Sequence, residues 1–220
     1  MTSQTVPART TLYNLLLSKA RVEALTDGIF AIAMTLLVLE LKIPELPKST
    51  GNAELLHKIG EQAPAFLSFL ISFLYCGLLW IWHHFAMHFI RQMQLVLVWL
   101  NLLFLMSISV MPFSCGLLGH FLRNRAAEEI YFGNLFVAAA LLLAQWLVAK
   151  KKKLVVEDDP QASRLMGQRL MFFPVAMAGG MIATIFNAGA GPYAFIVVLL
   201  AFRIWQRRQA AQATTPGPSS

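Results

Sequence analysis

Long apolar runs alternate with short polar or charged segments along most of this 220-residue chain. A helix of about 20 mostly apolar residues crosses the hydrocarbon of a bilayer. Six stretches read as such helices, at roughly 22–43, 64–88, 93–117, 130–149, 168–187 and 190–205. The fifth and sixth are the shortest and are rich in Gly. Asn187-Ala-Gly-Ala-Gly-Pro192 joins them as a tight helical hairpin, with Pro192 suited to a first helical turn. The pattern predicts an all-α integral membrane protein with six transmembrane helices. They form one membrane domain over residues 21–208, after a polar N-terminal segment at 1–20. The tail at 209–220 carries Thr-Thr-Pro-Gly-Pro-Ser-Ser and reads as disordered.

Composition agrees with the bilayer as solvent. The chain is 57% hydrophobic and 13% charged, where a soluble domain carries roughly a quarter charged residues. The net charge of +7 is spread over loops between apolar runs. No basic stripe interleaved with aromatics marks a nucleic-acid module, so a basic membrane face explains the charge. The polar start lacks the short apolar core and small-residue cleavage site of a signal peptide, so the first run is expected to remain as a span. Cys76 and Cys115 both sit in apolar runs and read as buried small hydrophobes without metal spacing.

Orientation follows from the Lys and Arg residues between the spans. With the N-terminus inside, 13 of the 18 are cytoplasmic and five (Lys42, Lys48, Lys58, Arg123 and Arg125) lie outside. Both termini are therefore expected in the cytoplasm. The run Lys150 to Lys153 reads as a positive-inside anchor, with anionic-lipid binding as the sharper alternative.

The first span carries the most chemistry. It opens with Arg21, Glu23 and Asp27 and is then apolar from Gly28 to Leu39. An acid placed within a spanning helix is costly and implies a buried partner. At 100° per residue, Ile32, Leu36 and Leu39 form a stripe extended by Leu25, Ile29 and Ile43, with Thr35 at its margin and Asp27 well round the helix. The stripe either packs on lipid or another helix, or forms rings about a symmetry axis. Apolar rings gate ions by dewetting, and a Thr ring offers oxygens to a partly dehydrated cation. One chain of this size offers no polar path of its own, so a channel reading requires a path between copies.

The second span ends in Trp80-Ile-Trp82-His83-His84-Phe-Ala-Met-His88, at the depth of Arg21 to Asp27. Trp80, His84 and His88 share a face at i, i+4 spacing. Imidazole and indole N–H groups are suitable donors to a buried carboxylate. Arg21, Thr26 and Asp27 are therefore expected to form a polar cluster with Trp80 and His84, which either locks helices together or lets His84 sense pH. A histidine-box metal site fails on ligand number, because the remaining histidines, His57 and His120, fall in outer loops. No metal site, catalytic set, phosphate loop or nucleotide fingerprint is present, and the Thr-Val-Gly-Tyr-Gly potassium filter is absent.

Arg21-Val-Glu-Ala-Leu-Thr-Asp27 resembles the Arg-x-x-x-Phe-Ser-Asp signature of the transmembrane-protein-175 potassium channels, bacterial and lysosomal. The apolar continuation to Leu41 is similar to that family's first helix, and Trp80 with His84 to its second. Leu25 and Thr26 stand where the signature has Phe and Ser, so the hydroxyl is kept and an aromatic contact is lost. The resemblance implies a homotetramer in a bacterial inner membrane, with the first helix of each subunit lining a central pore. Its hydrophobic layers map onto Ile32, Leu36 and Leu39, and its hydroxyl position onto Thr35. It further implies a leak-type potassium channel rather than an enzyme, with no cofactor and with potassium ions, membrane lipids and other copies of itself as partners. A proton-permeable channel or cation carrier is the alternative.

Overall fold

The computed structural model describes residues 18–156, 160–191 and 197. Its regular structure is helical, apart from one isolated antiparallel bridge between Ile90 and Val155. The helices are α1 (Lys19–Leu36, continued by a 3-10 turn at Leu37–Glu40), α2 (Asn52–Glu61), α3 (Ala63–Phe89), α4 (Leu95–Ser109), α5 (Met111–His120), α6 (Arg125–Lys151) and α7 (Pro160–Phe186). Among the described residues five spans are long and apolar enough to cross a membrane: α1 with its 3-10 turn, α3, α4 with α5, α6, and α7. The predicted sixth span at 190–205 lies largely outside the described residues, as do most of segment 1–20 and the tail at 209–220.

The expected third span is one run in the sequence but two helices in the structure. Pro112, in the first turn of α5, has no N–H to give to the preceding turn, and the chain breaks at Val110. Within a bilayer the freed backbone groups need partners. Asn134 of α6 provides one, donating from Nδ2 to the Ser107 carbonyl at 3.2 Å. Ser107 and Ser109 also turn their hydroxyls back onto the carbonyls of Phe104 and Leu105. α6 begins at a capped end, where the Asn124 side chain accepts from the amides of Ala126 and Ala127.

The two ends of the bundle are closed differently. At one end, Arg91 N–H donates to the Leu154 carbonyl and Val156 N–H to the Phe89 carbonyl, clasping the loop after α3 to that after α6. At the other end, the Glu40 side chain lies against Gly116 of α5, where only a residue without a Cβ leaves room for it. Gly189, at φ 94°, turns the chain after α7 so that its N–H reaches the buried Glu128 carboxylate at 2.7 Å.

The core runs the length of the bundle. α1 packs against α3, α4 and α5, whereas α6 and α7 pack closely on each other. At the junction of α1, α4 and α3, His83 stacks on Phe104 with ring centroids 5.3 Å apart, and Phe30 meets Phe104 at a tilt with centroids 5.8 Å apart. Leu37, Leu97, Ile108 and Met111 are buried around them. α1 is thereby held along one side only.

Candidate functional site on the first helix

The buried side of α1 consists of Val22, Thr26, Phe30 and Ala33, followed by Leu37 in the 3-10 turn. Its opposite side is open. Ile32 is 57% exposed, Leu36 42% and Leu39 64%, and Thr35 is exposed between them. The sequence expects this stripe to run on at helical pitch, but the α-helix ends at Leu36. The tighter turn that follows preserves the stripe by a different route. Residues three apart eclipse one another in a 3-10 helix, so Leu39 stays in line with Leu36.

Thr35 is positioned by its own backbone. Its hydroxyl donates to the Ile32 carbonyl at 2.8 Å. The proton is thus committed to the helix, and the lone pairs of Oγ1 remain to meet a positive charge on the open side. Four side chains expected to line a pore therefore share one uncovered surface of the subunit.

The predicted polar cluster divides into two. On the outer margin of α1, Asp27 is exposed and accepts from the Trp80 indole N–H at 2.7 Å. Trp80 in turn stacks on His84, with ring centroids 5.9 Å apart. These three residues come together as the sequence suggests. Thr26 does not join them, because it lies 100° round the helix and is buried. Arg21 is exposed and has no side-chain partner among the described residues.

Thr26 instead closes a buried chain of hydrogen bonds with two residues absent from the expected cluster. Its hydroxyl donates to the Val22 carbonyl at 2.9 Å and accepts from Asn101 Nδ2 at 3.1 Å. Asn101 Oδ1 meets His83 Nε2 at 2.8 Å. The Thr26 proton is spent on Val22 and the Asn101 amide nitrogen donates to Thr26. Asn101 Oδ1 must then accept, so His83 carries its proton on Nε2. This chain ties α1 to α4 and α4 to α3. Asn101 was visible as the lone amide in the apolar run of α4, and an isolated polar residue in a span asks for a partner. His83 was masked by its neighbour His84, which points to the other face.

Among the described residues no group of three or more His, Cys, Asp or Glu is placed to hold a metal ion. Trp82 is partly buried, with Arg169 of α7 over its ring at 5.5 Å from the centroid.

Residues 21–112 match the family described as "Endosomal/lysosomal potassium channel TMEM175". A potassium channel of Streptomyces collinus is 37% identical over 124 residues, which is 55% of this chain and 59% of that protein. A second, from Chamaesiphon minutus, is 35% identical over 125 residues, or 56% of this chain and 61% of that one. The matched regions thus span about three fifths of these relatives. The human endosomal/lysosomal proton channel TMEM175 is 31% identical over 139 residues, 59% of this chain and 28% of that protein. Among solved structures, a lysosomal potassium-selective channel TMEM175 homolog from Chamaesiphon minutus aligns with a TM-score of 0.74 at 26% identity. That alignment covers 84% of this chain and 96% of the homolog. The matched segment contains nearly all of α1, both arms of its polar anchoring and the break before Pro112, and over it this chain is similar to the TMEM175 family.

Proposed function

We propose that this protein is a potassium-selective, leak-type cation channel, with four copies arranged so that α1 of each lines a shared central pore. The observation that carries the reading is the uncovered side of α1: three branched apolar side chains and one hydroxyl face outward, while the reverse side is fixed by packing and by the Thr26–Asn101–His83 chain. Such a face suits lipid equally well by polarity alone. The bacterial relatives named potassium channels favour the pore.

In this reading Ile32 forms the narrowest ring and the gate, and Leu36 and Leu39 extend the apolar barrier. A cation entering it sheds water at a cost that apolar walls do not repay. The Thr35 oxygens partly replace that hydration, and the carbonyl filter of other potassium channels has no counterpart. No bond is made or broken, so the protein is not an enzyme. Asp27, Trp80 and His84 set the angle of α1 from outside the barrier, with Arg21 and Thr26 at its base. The greater Lys and Arg content of the loops at the clasped end of the bundle supports a cytoplasmic position for that end and for both termini, in a bacterial inner membrane.

Purified protein in planar bilayers with potassium on one side and sodium on the other tests this directly. A reversal potential near that of potassium supports the channel. A potential that follows an imposed pH gradient instead supports the proton-permeable alternative, which the names of the vertebrate relatives favour. No current under either gradient leaves only a scaffold.

A further inference from the structure

The segment between α1 and α3 contains a helix that the channel reading does not use. In α2 (Asn52–Glu61) none of the ten residues is buried, yet the helix is strongly two-sided. Leu55, Ile59 and Leu56 fall within 100° of one another on a helical wheel, and His57, Glu61, Glu54 and Lys58 fill the opposite 100°. Leu56 is 68% exposed and Leu55 and Ile59 are also exposed, whereas Lys58 is only partly so. The charged side is open as well, so the helix's own subunit covers neither side and the apolar side is left without a partner in it. The charges are engaged among themselves: Lys58 Nζ lies 3.0 Å and His57 Nδ1 3.5 Å from the Glu61 carboxylate.

We propose that α2 lies in the plane of the bilayer surface, with Leu55, Leu56 and Ile59 inserted at the boundary between headgroups and acyl chains. Two features select lipid as the occupant. Only Gln62 separates α2 from the first residue of the α3 span, so its depth is fixed at the end of a transmembrane helix. In addition, the exposed apolar surface continues from α2 onto the first turns of α3 through Phe66, Leu67 and Leu70. A short amphipathic helix at that depth places its apolar face in the interface. Two carboxylates beside one Lys and one His give no excess of positive charge. The attachment therefore rests on apolar burial and does not require anionic lipid.

Spin labels on Leu56→Cys and, separately, Glu54→Cys in the full chain test this, with Cys76 and Cys115 replaced by Ala and the protein reconstituted in phosphatidylcholine vesicles. The label at 56 should collide severalfold more often with dissolved oxygen than with a water-soluble nickel chelate. The label at 54 should show the reverse, and adding phosphatidylglycerol should change neither ratio. Equal nickel access at both positions would overturn the proposal by placing the helix in water. Shielding of position 56 from both reagents, with spin–spin broadening, would overturn it by placing the helix on a second copy. Ile59→Cys repeats the measurement if the label at 56 disturbs folding. None of these outcomes depends on whether the protein conducts.

Discussion

Trp80 and Asp27, 53 residues apart in the chain, meet through an indole N–H···carboxylate bond of 2.7 Å that stitches the outer margin of α1 to α3. Both residues are exposed on the single subunit, at the margin of α1 and away from the Ile32, Leu36 and Leu39 stripe. A hydrogen bond to a charged group contributes about 1.5–3 kcal/mol. Asp27→Ala and Trp80→Phe are each expected to weaken the assembled oligomer while leaving its ion preference unchanged, because neither residue lies on the barrier. Thermal dissociation of the detergent-solubilised oligomer, read alongside reversal potentials, checks this. An intact oligomer with altered ion preference would contradict it.

The buried chain through Asn101 makes a separate prediction about folding. Asn101→Leu removes both of its bonds and leaves His83 and Thr26 each short of a partner in an apolar setting. Each unsatisfied buried group costs about 1–3 kcal/mol. The variant should therefore lower the stability of the subunit itself, measured as the midpoint of its thermal unfolding. Thr26→Ser keeps the hydroxyl and should retain most of that stability, whereas Thr26→Val should not. Equal midpoints for Ser and Val would remove the hydrogen bond from the account.

If Ile32 forms the proposed ring, Ile32→Asn is expected to raise conductance and reduce the preference for potassium over sodium, because an amide would wet a constriction that the branched side chain would keep dry. Single-channel recording in mixed potassium and sodium checks both effects. Unchanged currents would exclude Ile32 as the constriction.

Thr35 separates hydroxyl chemistry from size. Thr35→Ser keeps an oxygen that can donate to the Ile32 carbonyl and still face the open side, so its ion preference should stay close to that of the parent. Thr35→Ala loses that oxygen and should lower potassium permeability relative to sodium. If Ala behaves like Ser in bi-ionic recordings, the hydroxyl takes no part in permeation.

The spans were legible because a 20-residue apolar run has few other uses. Their edges were less so: α6 starts at Arg125 and α7 at Pro160, since polar first turns look like loop when only apolar length is counted. The break at Val110 was foreshadowed by Pro112, but whether the helix kinks or parts depends on Asn134 reaching the freed carbonyl from another helix. α2 escaped notice because ten residues with three large aliphatics resemble a polar loop until the helical angle is applied. Periodicity found the open face of α1, since exposure along one helix is a local property. It misassigned Thr26 because the partners of a buried hydroxyl are set by which helices pack together, and neighbouring positions such as His83 and His84 point to different ones.

The claim that the open face of α1 borders the ion path is tested most directly by current block at a single cysteine on that face. With Cys76 and Cys115 replaced by Ala, Leu39→Cys should lose current when a membrane-impermeant, positively charged thiosulfonate is added. Val175→Cys, equally exposed but on α7, should not respond. Full current through the reacted Leu39→Cys protein, or block at position 175 alone, would contradict a pore built from the first helix.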